Sequence, residues 1–422
     1  MSEFSLAEAT NLFKINYYKK SENMYNNANV TLARIKVKND FTGKERYLAT
    51  PMSFSGGVGS GTLPVAGVAD YQDAHITSKR VYATCQIERE AIKASADDAG
   101  AFVRATKEVV MKCVESAARN NSRILFGDGS GVLGKGDATG TNITGAGTSG
   151  DPYIVTFPVA NWKEANFEER DIVQMVSGYT VPGTGAMEGG TATTNHLLVQ
   201  EVVPSLRQVK LVGTSALLAA DVIAVHPLPA TEALCMQGSL NNDPQGLKGV
   251  LDATSGTLYG ITVQRRWQAF QKAAAGAGTT PDLMNELMLG VEQKFGQAPN
   301  MIVTSYTQYR KILNQLEDHK RYQMPPRDAK LKGYISFEGI EFMSTRGAIG
   351  IFPERFVEND RMYFLNDNFI ESHRRPGHGW FDDDGTVFLR KDGIDSYEAR
   401  YGGYGENYIC PTPHGVLTGL AI

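Results

Sequence analysis

Cysteine is scarce. The chain of 422 residues has four, Cys85, Cys113, Cys235 and Cys410, and no two stand at metal-ligand spacing in sequence. That argues against a disulfide framework and for a reducing, cytosolic setting. Histidine is also sparse, with seven residues, and none forms H-E-x-x-H or H-x-x-x-H or neighbours two cysteines, so no zinc signature is written in the chain. No G-x-S-x-G elbow occurs, which removes the signature of an α/β-hydrolase. Basic charge is not in excess: the formal net charge is −4 and the pI about 6.0, whereas a protein that grips DNA with its own surface is usually basic. No run of about 18 apolar residues exists, so no membrane-spanning helix is expected. The opening stretch "MSEFSLAEATNLFKINYYKK" lacks the basic start and apolar run of a secretory signal.

Glycine, by contrast, is abundant, and nine residues of it fall between Gly127 and Gly150. Within that stretch Gly129–Gly134 reads GSGVLG, a G-x-G-x-x-G match, and Lys135 extends it toward a phosphate-binding loop. Both nucleotide motifs need a strand before the glycines and a helix after them, so that amide groups and the positive helix end face the phosphates. Here the order is reversed. A helical pattern precedes, an irregular stretch follows, and position 136 is Gly where magnesium binding needs Ser or Thr. Nucleotide binding is not expected, and the stretch reads as a flexible exit loop.

The helical pattern before it is long. Ser95 is placed as N-cap with Asp97 and Asp98 in the first turn, and Phe102, Thr106, Val109, Cys113 and Ala117 recur at helical spacing. If it reaches Phe126, at about 1.5 Å per residue, it is about 40 Å long. Residues 1–49 are polar and read as an extended arm, with "LARIKVKN" as a possible strand. Pro51–Glu90 is Gly/Ser-rich and then alternating, with Val81, Ala83, Cys85 and Ile87 on one face, and reads as a long hairpin or loop. Residues 151–213 hold four short β-rich runs between Gly/Pro/Thr loops, expected to form a small barrel or sandwich. Farther on, Thr280, Pro281 and Gly296 bracket a helix whose apolar face is Met284, Leu287, Met288, Val291 and Phe295. "NMIVT" reads as a buried strand and "SYTQYRKILNQLED" as a helix opened by a Ser305–Gln308 capping box. Residues 334–422 read mostly as strands, with Asp384-Gly385 as a hairpin turn.

The chemistry-bearing clusters are few. "HRRPGHGWFDDDG", His373 to Gly385, gathers two histidines, two arginines and three aspartates. It is either a solvated loop leading into a turn or an anion or metal site. The acidic pairs Glu168-Glu169 and Asp97-Asp98 read as solvated or capping charge rather than as an acid–base pair. No catalytic constellation is evident and no cofactor or metal is expected.

The ordered set of segments, however, resembles a family. "CQIEREAIKASADDAGAFVRATKEVVMKCVESAARNNSRILFGDGSGVLG", "PNMIVTSYTQYRKILNQL" and "EFMSTRGAIGIFPERFVENDRMYFLND" are similar in order and kind to the loop end, spine helix and glycine exit, the axial domain, and the peripheral return of tailed-phage major capsid proteins of the Hong Kong 97 phage fold. The resemblance implies an α+β chain: an N-terminal arm at 1–49, an extended loop at 50–90, the spine helix and glycine-rich exit at 91–150, an inserted β module at 151–213, peripheral domain at 214–251, axial domain at about 252–333 and return strands at 334–422. It implies a structural protein that self-assembles as hexamers and pentamers around packaged DNA in a bacterial host. Its partners would be further copies of itself, a separate scaffolding protein, a portal protein and a decoration protein, with no sequence-specific hold on the DNA and no membrane. Phe54, Arg80, Glu88 and Arg89 are the expected intersubunit contacts. Some relatives crosslink Lys to Asn, and Lys79 lies in the right loop, but no partner can be named and no crosslink is assigned. Two rival readings stand: an enzyme holding a small anionic ligand at Arg374, Arg375 and His378, and a tail or decoration protein whose working part is the β module.

Overall fold

The computed structural model describes residues 30–53, 70–89, 99–136, 141–159, 162–187, 196–213, 227–228, 232–318, 340–344, 347–382, 385–391 and 393–422. The chain divides into two compact units, one of residues 1–122 and 250–422 and the other of residues 123–249.

In the first unit, a 27-residue helix, Ala99–Leu125, lies on a six-stranded sheet; the unit takes in the helix as far as Ser122. Helical spacing puts Val110, Cys113, Val114 and Ala117 on one stripe, and that stripe is buried with Trp380, Val387, Ala399 and Tyr401 from the sheet. The sheet is organised by one strand of 14 residues, Ser396–Ile409. Lys79–Glu88 runs antiparallel along one side of it, from Ser396↔Glu88 to Gly405↔Lys79. Ile370–Arg374, Gly379–Trp380 and Phe388–Arg390 pair elsewhere along it, and Lys36–Lys38 adds a parallel edge on Ile370–Arg374. Gly402 lets the two long strands approach: a Cβ there would lie 2.2 Å from the Val81 carbonyl oxygen. The expected alternation holds, with Val81, Ala83, Cys85 and Ile87 on the inward face and Arg80, Tyr82, Thr84, Gln86 and Glu88 outward. These residues are therefore a sheet strand, and the hairpin is formed upstream by Glu45–Ser53 and Asp70–Thr77.

A second six-stranded sheet occupies the same unit, in the order Phe270–Ala273, Gly415–Thr418, Met362–Leu365, Met301–Thr304, Gly347–Pro353, Ile340–Ser344. Met301–Thr304 is buried along its length, as its apolar run implies. Helix Pro281–Phe295 is read correctly from its ends. Thr280 accepts a hydrogen bond from the Leu283 amide, Pro281 stands at the first helical position, and Gly296 closes the helix in the left-handed region at φ 72°. Met284, Leu287 and Met288 pack with Ile302, Ile312, Ile351 and Phe364. Helix Tyr306–Asp318 is capped by Ser305, whose hydroxyl accepts from the Gln308 amide at 3.3 Å. The other half of the expected capping box is absent. Gln308 is fully buried and turns inward, accepting from the Thr279 hydroxyl at 2.6 Å and donating to the Asn359 and Ala421 carbonyls, both at 2.7 Å. Three hydrogen-bond partners for a buried amide outweigh one cap.

The second unit is built on a seven-stranded sheet. All four β-rich runs at 151–213 are strands, Tyr153–Thr156, Ile172–Ser177, Leu197–Val203 and Gln208–Gly213, and the sheet also takes in Val132–Lys135 and Ala233–Met236. Its core is Tyr153, Val155, Phe157, Phe167, Val173, Leu197 and neighbours. The glycine-rich exit is thus part of a packed sheet at Val132–Lys135 rather than a free loop. Gly131 shows why glycine is needed: its φ is 76°, and a Cβ would lie 2.3 Å from the Ser239 carbonyl oxygen. At the other end of the chain "LARIKVKN" is split, with Val30–Arg34 helical and only Lys36–Lys38 a strand. Ser95, Asp97 and Asp98, and Asp384 of the expected turn, lie outside the described residues. Among the described residues no helix is long and apolar enough to cross a membrane.

Gly131→Ala should lower stability by roughly 2 kcal/mol or more, because it adds both backbone strain and overlap. Hydrogen exchange of Val132–Lys135 and the melting temperature read this out; a flexible loop would leave both unchanged.

Candidate assembly surfaces

The hairpin Glu45–Ser53 and Asp70–Thr77 has one buried and one exposed face. Its strands pair from Glu45↔Thr77 to Ser53↔Asp70. One face is buried through Met52, Ala74 and Ile76, while the other presents Tyr47 and Tyr71 at 62% and 58% exposure. Large aromatic rings left exposed on a strand surface are the residue type that recurs at protein interfaces. Phe54 lies outside the described residues.

The hairpin is held toward both ends of its paired strands. The His75 amide donates to the Tyr259 carbonyl at 2.9 Å. The Arg266 guanidinium donates to the Met52 carbonyl at 2.7 Å. Tyr259 is itself tied to the long strand: its hydroxyl donates to the Asn407 carbonyl at 2.8 Å and accepts from the Ile409 amide at 3.2 Å. Burial holds that phenol well above its ordinary value, so it stays protonated and able to donate. A second fastening lies where the chain leads into the hairpin. Asp40 meets Arg46 at 2.7 Å and the buried His373 ring at 3.2 Å, and the other ring nitrogen of His373 lies 3.1 Å from Glu371, which also holds Lys38 at 2.7 Å. Burial raises Asp40, but hydrogen bonds and charge from Arg46 and His373 outweigh it and leave the carboxyl below its usual value.

The expected contact residues fall close by. Arg80 and Glu88 are exposed on the outward face of Lys79–Glu88. Arg89 follows that strand, paired with Asp395 at 3.4 Å. None of these three stands on the hairpin itself. Sequence reasoning passed over Tyr47 and Tyr71, and also an aromatic cluster beside Arg80: Tyr82 stands edge-on to Phe381 and Tyr404, and Phe381 stacks on Tyr404. The signal for Tyr82 was its place on the polar side of an alternating strand.

The His373–Gly385 cluster is dispersed by the fold. His373 is spent on Asp40 and Glu371. Arg374 donates to the Ser372 hydroxyl at 3.3 Å, and Arg375 donates to the Gly43 carbonyl at 2.6 Å with its guanidinium over the Phe41 ring. His378 packs edge-on to Tyr401. Burial, and then the charge of Arg374, pushes it down to about 4. The groups that an anionic ligand would need are turned to separate structural contacts, and among the described residues no three His, Cys, Asp or Glu side chains come together as a metal would require.

His378 fixes a pH dependence. Its folded value lies below the ordinary 6.5, so between those two values the unfolded chain binds more protons than the folded one, and stability is full above pH 6.5 and lost as the pH falls toward 4. His414, pushed down to about 3 by burial, acts in the same direction. The melting temperature should fall between neutral pH and about pH 4.5, and His378→Asn should reduce the fall. A flat profile would contradict the assignment.

No protein-family model matches the chain, and no curated protein matches it. Solved structures do. The chain is similar to a chain of the cyanophage A-1(L) capsid asymmetric unit at 10% identity and a TM-score of 0.50, over 92% of this chain and 91% of that one. It is also similar, at lower TM-scores, to a chain of the Mycobacterium phage Adephagia (0.38, 10% identity, 93% and 90% covered) and to one of the capsid of a native GTA particle (0.41, 9% identity, 92% and 89% covered). Helix, long strand, hairpin and paired sheets together are the Hong Kong 97 phage capsid fold.

Proposed function

We propose that this chain is the major shell protein of a tailed-phage capsid. It assembles as hexamers and pentamers into an icosahedral shell around packaged double-stranded DNA, and it acts by assembly rather than by catalysis. The observation that carries this reading is the likeness to a chain of a capsid asymmetric unit along 92% of this chain, joined to an anchored hairpin that exposes Tyr47 and Tyr71 on its outer face. A shell protein needs such a feature, because its stability comes from many repeated contacts between copies. Tyr47 and Tyr71 on the hairpin, with Arg80, Glu88 and Arg89 beside it and Phe54, are the residues assigned to contact with the next subunit. The mild net charge of −4 suits a container that surrounds DNA without gripping it. A separate scaffolding protein directs closure, a portal protein occupies one vertex, a decoration protein completes the outer surface, and assembly takes place in the host cytoplasm.

Deleting Gly56–Ala69 should leave a soluble, cooperatively melting protein that no longer closes shells. Sedimentation and negative-stain microscopy read the result, and particles of normal size from the deletion would sink the reading.

A further inference from the structure

Two thiols face each other across the joint between the long helix and the sheet. Cys113 is buried on the helix stripe, and Cys85, on the inward face of Lys79–Glu88, packs against the same cluster. Both are free. The Cys113 thiol donates a hydrogen bond to the Cys85 sulfur, which lowers Cys85 and, together with burial, raises Cys113. The other two thiols are unlike them: burial pushes Cys235 up to about 12, and Cys410 is raised by burial as well.

We propose that Cys85 and Cys113 form a disulfide that staples the long helix to the sheet when the protein meets a small-molecule disulfide. The half-exposed Cys85 is the attacking group, since the thiolate is the nucleophile and its neighbour stabilises it. With oxidised glutathione, Cys85 sulfur bonds to one glutathione sulfur and the other leaves as glutathione. Cys113 then attacks the Cys85 sulfur, the mixed disulfide breaks, and a second glutathione leaves. Two cysteine thiols are oxidised, one glutathione disulfide is reduced, and the two thiol protons end on the two glutathiones. The staple joins elements that meet only in the folded chain, so it resists separation of the helix from the strand that follows the hairpin. Its use rests on the shell reading: a particle built in a reducing cell would be locked on release into an oxidising medium. The bond itself does not depend on that reading.

The test treats the purified, reduced full chain with oxidised glutathione, blocks free thiols and maps peptides by mass spectrometry. The wild type should give a linked Cys85–Cys113 peptide within one chain and a melting temperature several degrees higher, reversed by dithiothreitol. Cys113→Ala should stop with glutathione on Cys85, and Cys85→Ser should leave Cys113 unmodified. Wild-type protein in which both residues remain blockable, or in which either links to a different cysteine or chain, overturns the proposal. Linked peptide in protein that never forms shells upholds the staple and removes only its use.

Discussion

Everything in the larger unit hangs on the seating of one helix on one strand. The stripe Val110, Cys113, Val114 and Ala117 has to be covered, and the sheet built around Ser396–Ile409 covers it. Burying each of the two valines is worth about 1.5–3 kcal/mol relative to water, more than a surface ion pair supplies. Once that strand is fixed, the rest is positioned from it. Lys79–Glu88 pairs along its whole length on one side, and His373 on the neighbouring strand receives Asp40. Tyr259 hydrogen-bonds to Asn407 and Ile409 and passes the anchorage to His75 at the hairpin base.

The hairpin follows from this arrangement. Tyr259 and the Arg46–Asp40–His373–Glu371 chain act at the base, and Arg266 holds the Met52 carbonyl near the other end of the ladder. The outward aromatics Tyr47 and Tyr71 stay largely exposed, although the Tyr47 hydroxyl donates to Glu45 at 2.9 Å. The buried phenol, the spent histidine and the engaged arginines of the 373–385 stretch hold the framework rather than a ligand.

What the sequence disclosed depended on how local each signal was. Helix Pro281–Phe295 was legible because Thr280, Pro281 and Gly296 act within a turn of where they stand. The four strands at 151–213 were legible as short β-rich runs set between Gly/Pro/Thr loops. The pairing of Lys79–Glu88 with Ser396–Ile409 was not, because its partner lies about 300 residues away and alternation does not name a partner. For the same reason the residues were read as part of the hairpin. The glycines at 127–136 looked like freedom and proved to be close approach, as Gly131 against Ser239 shows. Gln308 looked like a cap residue because its spacing from Ser305 is right, but three other partners, Thr279, Asn359 and Ala421, claimed its buried side chain.

The most direct measurement of the central claim is sedimentation velocity with negative-stain microscopy on the purified chain, alone and together with the products of its neighbouring genes. The account predicts closed shells, or free hexamers and pentamers that close when a scaffold is supplied. A monodisperse dimer or tetramer that never forms shells under either condition would contradict it.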